Sequence, residues 1–314
     1  MHIDLGYEAK EFGVQAARAF DASGGDSLAV LAAANPAGRI HGIEQTLGAL
    51  GAFDLRPLED PTELEAAAAL CRASGMVALP YPVAERLCRI TPELHGLIVV
   101  SDNGPAGPVA DIDMTWLAVT IDGYGHQAQA RSGASIPPTE GFTAQLDLDG
   151  PEIEVAARAI ALGIVLPCWT LLGMMERAID LTKRHALLRE QFDRPLAHFQ
   201  SVRFQLTDAE VEYRGVDTLA RYALWSIQNH DDNALADALA VRLAAVEAAD
   251  LVFRTAHQIH GATGFCDEST LSWLSRYSLS IRRLPFGRSE TEALLTEQVG
   301  RRGIAGLFTE PAGA

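Results

Sequence analysis

The segments Arg189–Leu196 (REQFDRPL) and Gln258–Phe265 (QIHGATGF) decide how this chain is interpreted. Each follows a long helical pattern of apolar residues; the first closes with a proline turn and the second contains two glycines. A guanidinium offers a planar fork that suits phosphate oxygens, and glycine lets a ligand approach the backbone closely. The arginine at the start of the first segment can hold a pyrophosphate together with the glutamine and the first glycine of the second segment. Phe192 can then pack against an adenine.

The same residues have a simpler interpretation, which the residues alone favour. Arg189 then forms an ion pair at the surface, Gly261 ends a helix as a C-cap, and Phe192 belongs to the core. His257 and His260 lie three residues apart near this helix end. No third ligand accompanies them at metal spacing, so no metal site is expected.

Long helical patterns surround both segments. They cover about residues 152–190, 199–229 and 232–261, and a shorter amphipathic pattern covers 290–301. Lengths of this order are typical of an antiparallel helical bundle. The uncharged run 159–175 is slightly short for a bilayer span and contains a proline and two glycines. We therefore expect a buried core helix there rather than a membrane span.

Towards the N-terminus the pattern changes twice. The first unit has the pattern of short helices, one opening at Asp60-Pro61-x-Glu63 with an N-cap acid and a proline at the first helical position. The next has β-rich runs and a hairpin signal at Asp122-Gly123, which predict at most five strands. The predicted fold is mostly α with a small β unit. Its predicted domains are 1–94 (helical), 95–150 (reduced β domain) and 151–314 (helical bundle).

Composition limits the classes of partner. The formal net charge is −16, which argues against nucleic acid or an anionic membrane because both need clustered lysine and arginine. No basic segment precedes an apolar stretch at the N-terminus, so no signal peptide is expected. The cysteines are dispersed, and we expect all four to be reduced core residues of a cytoplasmic protein. They are Cys71, Cys88, Cys168 and Cys266.

The two segments resemble the acyl-CoA dehydrogenase family. Its helical C-terminal domain carries an R-x-Q-F-G-R-P-I turn, then an F-Q-x5-L-A-D helix, and later a Q-x-x-G-G-x-G-F turn. The strong resemblance covers about 150–300, and the N-terminal helices and the β unit match only in their order. The matching residues are Arg189, Gln191, Phe192, Arg194, Pro195, Phe199, Gln200, Leu206, Asp208, Gln258, Gly261, Gly264 and Phe265.

This resemblance implies an FAD site. In the family, such residues contact the ADP half of an FAD whose flavin ring is seated by the neighbouring subunit, across a dimer interface. Carried over residue by residue, the cofactor-binding assignment covers Arg189, Gln191, Phe192, Gln258, Gly261 and Ala262. Ala262 stands where the family has the second glycine of its G-G pair, a mild change.

Two departures limit what is carried over. The T-E-P-x-x-G-S-D-type loop and the W-I-T-N-type strand that hold the flavin in the family are missing between residues 95 and 150. The catalytic glutamate is missing as well. Its E-G-T position falls on Phe286, or on Pro285 with a one-residue shift, and its alternative helix position falls near Gly163. Neither a flavin seat nor a base is therefore expected in this chain.

We expect a subunit of an FAD-dependent acyl-CoA dehydrogenase that contributes no catalytic residue. It resembles the degenerate subunits of actinobacterial α2β2 enzymes that act on steroid side-chain CoA esters. In that arrangement a partner subunit supplies the glutamate and holds most of the acyl-CoA.

Two alternatives stay open. One is a self-sufficient homomeric dehydrogenase with an unusual base, such as Glu176 or Glu290. Glu176 lies roughly 20 Å from Gly163 along the helix axis, whereas Glu290 lies one turn beyond the E-G-T position and is a weak candidate. The other alternative is a flavin-free scaffold or binding protein of the same fold.

Overall fold

A computed structural model describes residues 2–131 and 141–302 of the chain. Within these ranges the chain forms ten α-helices and a five-stranded sheet, which confirms the predicted mostly α fold with a small β unit. The helices are α1 (Tyr7–Ala22), α2 (Ser27–Ala34), α3 (Arg39–Ala49), α4 (Pro61–Met76), α5 (Val83–Leu87), α6 (Ala157–Leu188), α7 (Gln200–Gln228), α8 (Ala234–His260), α9 (Thr270–Arg283) and α10 (Arg288–Arg302). The strands are β1 (Leu97–Val99), β2 (Ala106–Gly107), β3 (Trp116–Val119), β4 (Tyr124–Ala130), β5 (Ala144–Glu154), β6 (Glu190–Gln191) and β7 (Arg194–Pro195).

Local sequence explains where several helices begin and end. Asp60 caps α4 as predicted, because its carboxylate accepts hydrogen bonds from the backbone N–H groups of Thr62 (2.7 Å) and Glu63 (3.1 Å). Helix α8 ends at Gly261, whose φ of +61° is a left-handed value that favours glycine. The predicted helices 199–229 and 232–261 correspond to α7 and α8 with differences of one or two residues at their ends.

The sheet has the strand order β1-β3-β4-β5-β2. Strands β1 and β3 are parallel, and the other neighbours are antiparallel. β3 and β4 form the hairpin predicted at Asp122-Gly123, with Gly123 at φ +93°. β1 packs against α6, so the sheet lies beside the first helix of the bundle.

One predicted boundary is wrong. The helical pattern was expected to start near residue 152, but 152–154 belong to β5 and α6 begins at Ala157. Ile153 and Glu154 pair with Gly125 and Tyr124 of β4. These pairs hold the segment in the sheet, and pairing across the chain is not visible in a local pattern. The predicted division into units 1–94, 95–150 and 151–314 stays a prediction, and residues 303–314 lie outside the described part.

Two further expectations need correction. Helix α9 was not predicted as a separate helix; its buried face combines apolar residues with serines, among them Ser272, Ser278 and Ser280. Cys266 was expected in the core and is exposed, since it follows the short 3-10 turn Gly261–Phe265 at the surface. The other three cysteines are buried and free, as expected.

Helix α6 is the centre of the fold. It packs against α4, α5, α7, α8, α9 and β1. By length and composition it could cross a membrane, but 83% of its most apolar window is buried inside the protein. The run 159–175 is therefore a buried helix of the core, as predicted.

Helices α4 and α6 meet at two glycines. A Cβ added to Gly75 would lie 1.9 Å from the backbone oxygen of Thr170, and a Cβ added to Gly173 would lie 1.9 Å from that of Arg72. Real Cβ atoms do not approach other atoms this closely, so both positions require glycine. The two helix backbones are in direct contact, and this contact fixes the N-terminal helices onto the bundle.

Replacing Gly173 by alanine should destabilise the protein by at least about 3 kcal/mol, because the added methyl forces two backbones apart rather than displacing a side chain. Gly215→Ala on α7 is the matched control, since nothing lies within 4 Å of its Cβ position. There alanine should add roughly 0.5–1 kcal/mol through its better helix propensity. Urea unfolding of the two variants measures the difference. Equal stabilities would show that α4 and α6 do not touch as described.

Candidate cofactor site

Three helix ends meet around one open cleft. Helices α6 and α8 end there, and α7 begins there. The cleft has a volume of about 580 Å³, within the range of small-molecule and cofactor sites. Five of the six residues predicted to bind cofactor line it, namely Arg189, Gln191, Gln258, Gly261 and Ala262.

The backbone holds Arg189 at the edge of this cleft. Its N–H donates to the carbonyl of His185 in the last turn of α6 (2.8 Å), and its carbonyl accepts from the N–H of Leu196 (2.8 Å). Between these two bonds the chain makes the short hairpin β6–β7. The Arg189 side chain itself is exposed, so its guanidinium is free to reach an anion in the cleft.

Phe192, the sixth predicted residue, does not line the cleft. It occupies the turn of the β6–β7 hairpin, where both Phe192 (φ +53°) and Asp193 (φ +58°) have left-handed backbone angles. Such angles strain a bulky residue. The ring is 85% exposed and contacts only the edge of Phe199 among described aromatic residues, with centroids 6.3 Å apart. The hairpin thus presents an aromatic ring to the outside.

A stacked histidine pair forms part of the cleft lining. The rings of His185 on α6 and His260 on α8 lie with centroids 4.3 Å apart and an interplanar angle of 23°. Burial lowers the pKa of His185, and the neighbouring His260 and Arg189 lower it further. Burial also lowers the pKa of His260, although its hydrogen bond to the Ala256 carbonyl acts in the opposite direction.

The cleft differs electrostatically from the rest of the chain. Its described lining contains Arg189, the two histidines and several neutral donors, and none of these lining residues is acidic. The chain as a whole carries a net charge of −16. Helix α7 also starts here, and a helix N-terminus favours negative charge. The lining is therefore suited to an anion.

Exposed apolar side chains lie on or next to the helices that form the cleft. Leu187 and Leu188, at the end of α6, are 65% and 83% exposed. Phe204 and Val211 on α7 and Phe265 beyond α8 are also largely exposed. Together with Phe192 they form an apolar rim of a kind that marks a protein interface more often than a free surface.

The two positions where the family would place its base are filled. Phe286 is buried, at 2% exposure, and its backbone carbonyl accepts a hydrogen bond from the buried guanidinium of Arg242. At Gly163 an added Cβ would lie 2.7 Å from Val99 and 3.0 Å from Leu97 of β1. Strand β1 thus takes the space that a side chain at residue 163 would need.

The carboxylates considered as unusual bases are engaged elsewhere. Glu176 forms an ion pair with Arg72, at 2.7 Å. Glu290 is exposed and accepts a hydrogen bond from the Ser101 hydroxyl at 3.0 Å. In these positions each carboxylate is held by a partner on another part of the chain.

Glu85 is a carboxyl that sequence reasoning missed. It lies on α5 and lines two small adjoining cavities, of about 50 and 30 Å³, the smaller of which is also lined by Gly163 and Pro285. Burial raises the pKa of its carboxyl to about 7. Nothing in the local sequence VAERL signals this, because the surroundings come from the β unit and the bundle.

Other cleft residues were missed for a similar reason. Sequence reasoning did not assign His185, Ser201, Gln205, His260 or Thr263 to the site, although all of them line it. His185 and His260 had a detectable signal, since cationic side chains favour the last turn of a helix. Their stacking joins two helices 75 residues apart in sequence and could not be read from either.

Comparison with known proteins shows a family likeness for the bundle. Residues 153–303 match the family described as "Acyl-CoA dehydrogenase, C-terminal domain". Acyl-CoA dehydrogenase FadE27 of Mycobacterium tuberculosis is 29% identical over 160 residues, which is 46% of this chain and 43% of that protein. The chain spans less than half the length of the curated relatives it matches most strongly.

Solved structures extend the likeness to the whole fold. One, the "ChsE4-ChsE5 complex from Mycobacterium tuberculosis", matches with a TM-score of 0.74 and 20% identity, over 97% of this chain and 100% of that chain. Another, the "Tcur3481-Tcur3483 steroid ACAD G363A variant", matches with a TM-score of 0.76 and 18% identity, over 95% and 99%. At these identities the likeness shows the fold.

Glu85→Gln should change how stability depends on pH. A carboxyl whose pKa is raised from 4.5 to about 7 by folding binds its proton more tightly in the folded protein. Its ionisation therefore costs stability progressively as pH rises from 4.5 to 7, by roughly 2–3 kcal/mol at pH 8. The variant should gain about this much over the parent at pH 8 and little at pH 4.5.

Chemical unfolding at several pH values measures this gain. Glu93→Gln, at an exposed glutamate, is the control and should stay within about 0.5 kcal/mol of the parent throughout. A gain from Glu85→Gln that does not vary with pH would mean that the Glu85 carboxyl is not enclosed as described.

Proposed function

We propose that the chain is a subunit of an FAD-dependent acyl-CoA dehydrogenase, because residues 153–303 match the C-terminal domain of that family and the chain has the same fold as solved members. In this proposal it contributes the ADP side of the FAD site, through Arg189, Gln191, Gln258, Gly261 and Ala262. The observation that carries the proposal is the gathering of these five residues around one cleft whose described lining has no acid.

The residues present fit the diphosphate half of FAD. Arg189 supplies the planar fork that phosphate oxygens accept, and Gln191 and Gln258 supply amide donors. Gly261 has open space around its Cβ position and a φ of +61°, so the backbone is accessible there and a side chain would be strained. Phe192 lies outside the cleft. We propose that it contacts the cofactor at the place where the partner subunit packs against the apolar rim.

The flavin half is proposed to come from a partner subunit. The described β unit is small, and the strand beside α6 fills the space at Gly163. The apolar rim formed by Leu187, Leu188, Phe204 and their neighbours supports a second chain over the cleft. Two solved structures of the same fold, the ChsE4-ChsE5 complex and the Tcur3481-Tcur3483 steroid ACAD, each combine two differently named proteins. These support a partner subunit, and we propose that the assembly is an α2β2 complex in the cytoplasm.

The reaction proposed for the complex is the α,β-dehydrogenation of an acyl-CoA thioester, with a steroid side-chain CoA ester as the preferred class. A carboxylate removes the α-proton, and the chemistry that bound FAD would supply is a hydride acceptor for the β-carbon. The partner is proposed to supply this carboxylate and to hold most of the acyl-CoA. The burial of Phe286 and the filled space at Gly163 support this division of labour, because the first position carries an apolar side chain and the second leaves no space for a side chain.

A second candidate function is favoured by one observation. Glu85 lies beside Gly163 and Pro285 and has a pKa of about 7, which suits a general base in a self-sufficient homomeric enzyme. The cavities it lines hold about 50 and 30 Å³, too little for an acyl chain. Turnover by the chain purified alone that is lost in Glu85→Gln would support this candidate over the first.

Flavin content should separate the proposals. Purified alone, the chain should carry little FAD, because it holds one half of the site. Co-expressed with a partner it should carry one FAD per pair of chains. Flavin absorbance against protein concentration gives the ratio. Two FAD per pair would contradict the shared site, a yellow chain when purified alone would favour the homomer, and absence of flavin in both preparations would favour a flavin-free scaffold.

Arg189→Ala should weaken FAD binding to the complex about ten- to a hundredfold, because a charge-assisted contact worth roughly 1.5–3 kcal/mol is lost. Arg189→Lys should recover part of this, since a lysine keeps the charge but not the planar fork. Arg184→Ala is the control, as Arg184 is exposed on the same helix and does not line the cleft. Fluorescence titration of the apo-complex with FAD compares them. Normal FAD affinity in an assembled Arg189→Ala complex would remove Arg189 from the site.

A further inference from the structure

The His185–His260 pair lies where a bound anion would be. Both rings line the same cleft as Arg189, and they stack across the α6–α8 boundary at 4.3 Å. Neither ring is needed for the contact between these helices, which pack along their length through apolar residues. An imidazole pair at this place therefore has a chemical meaning beyond packing.

The hydrogen bonds indicate which atoms can take up a proton. Nδ1 of His260 lies 2.9 Å from the carbonyl of Ala256, so the Nδ1–H donates to that oxygen and Nε2 carries the lone pair of the neutral ring. Within the described part of the chain the His185 ring makes a stacking contact and no side-chain hydrogen bond. Each ring thus has a nitrogen free to accept a proton.

The charges around the pair oppose protonation as long as the cleft holds no anion. Besides burial, Arg189, directly after α6, lowers the pKa of His185 in the pair. His257 on α8 interacts with His260, and besides burial Arg282 on α9 lowers the pKa of His257. The start of α7 contributes Ser201 and Gln205, and the hairpin contributes Gln191, all neutral. The described lining has no carboxylate to balance an added positive charge, and burial lowers the pKa of both imidazoles, which disfavours their charged forms.

A bound diphosphate reverses this balance. Its two negative charges would lie beside the pair and favour the imidazolium, which also donates one more hydrogen bond than the neutral ring. We propose that the His185–His260 pair is part of the diphosphate site and takes up a proton from solvent when a nucleoside diphosphate ester binds. This rests on the proposed function for the position of the diphosphate, and it adds a proton-dependent step to cofactor binding.

The sign of the pH dependence follows from proton uptake. Binding should tighten as pH falls, because protons are a reactant in the binding equilibrium. The change can reach tenfold per pH unit for one proton. It should be largest between the pKa of the pair in the complex and its lower pKa in the free protein. Well above that window binding should be weaker and independent of pH.

ADP-ribose is a suitable probe, because its pyrophosphate is a diester and keeps its two charges across this pH range. Titration calorimetry of the full chain at pH 5.5, 6.5 and 7.5 should show binding roughly tenfold tighter at the lowest pH than at the highest. Repeating it in buffers of different ionisation enthalpy should show uptake of up to one proton per ligand.

The variant His185→Phe/His260→Phe keeps two stacking rings and cannot titrate, so its affinity should not vary with pH. His185→Gln/His260→Gln serves the same purpose if the phenylalanine rings disturb the fold. His198→Phe is the control, since His198 is exposed and does not line the cleft; it should behave as the parent.

Three results would overturn the inference: pH-independent binding by the parent, pH dependence that survives in both double variants, or no binding of ADP-ribose at any pH. The flavin content of the co-expressed complex is a separate measurement. A complex that holds FAD while the parent chain shows no proton uptake leaves the proposed function standing and removes this inference alone.

Discussion

Direct contact between two helix backbones holds this fold together. At Gly75 and Gly173 helices α4 and α6 approach until no Cβ fits between them, and each glycine faces a backbone oxygen of the other helix. The contact positions the N-terminal helices on α6, and α6 in turn carries β1, α7, α8 and α9. The cofactor cleft lies at the far end of α6, beyond Leu188, so its geometry depends on where this helix is anchored. Arg72, beside the crossing, adds ion pairs to Glu176 of α6 and Asp217 of α7.

Much of the fold could be predicted from the sequence because its signals are local. The Asp60 cap, the Asp122-Gly123 turn and the ends of α7 and α8 depend on residues within one or two turns of each other. The extension of β5 to Glu154 depends on pairing with Tyr124, which no local pattern contains. Helix α9, whose buried face contains several serines, was not predicted as a separate helix. The five predicted cleft residues could be found because they belong to two local sequence motifs. Glu85 could not be found, because three separate parts of the chain assemble its environment.

The cleft looks like part of a site rather than a whole one. Its polar lining is open to solvent, and the elements that form it also carry exposed apolar side chains, including Leu188 at 83%. The hairpin at Phe192 keeps a bulky ring outside at the cost of two left-handed backbone angles. Strain of this kind persists where surrounding structure or function requires it. A cofactor held between two chains also stabilises their association by mass action, so assembly and cofactor loading would be coupled.

The charge contrast between the cleft and the remainder of the chain has a kinetic consequence. At low ionic strength an approaching dianion first meets the field of a protein with net charge −16; at physiological ionic strength this field is largely screened beyond about 8 Å. Close to the cleft, the charge of Arg189 and the dipoles of the neutral donors dominate the field that the dianion meets. Dissolved salt screens the distant repulsion and the close attraction alike, so it accelerates the encounter while shortening the residence time. An anionic ligand would then associate faster in moderate salt, the reverse of electrostatic steering towards a basic protein.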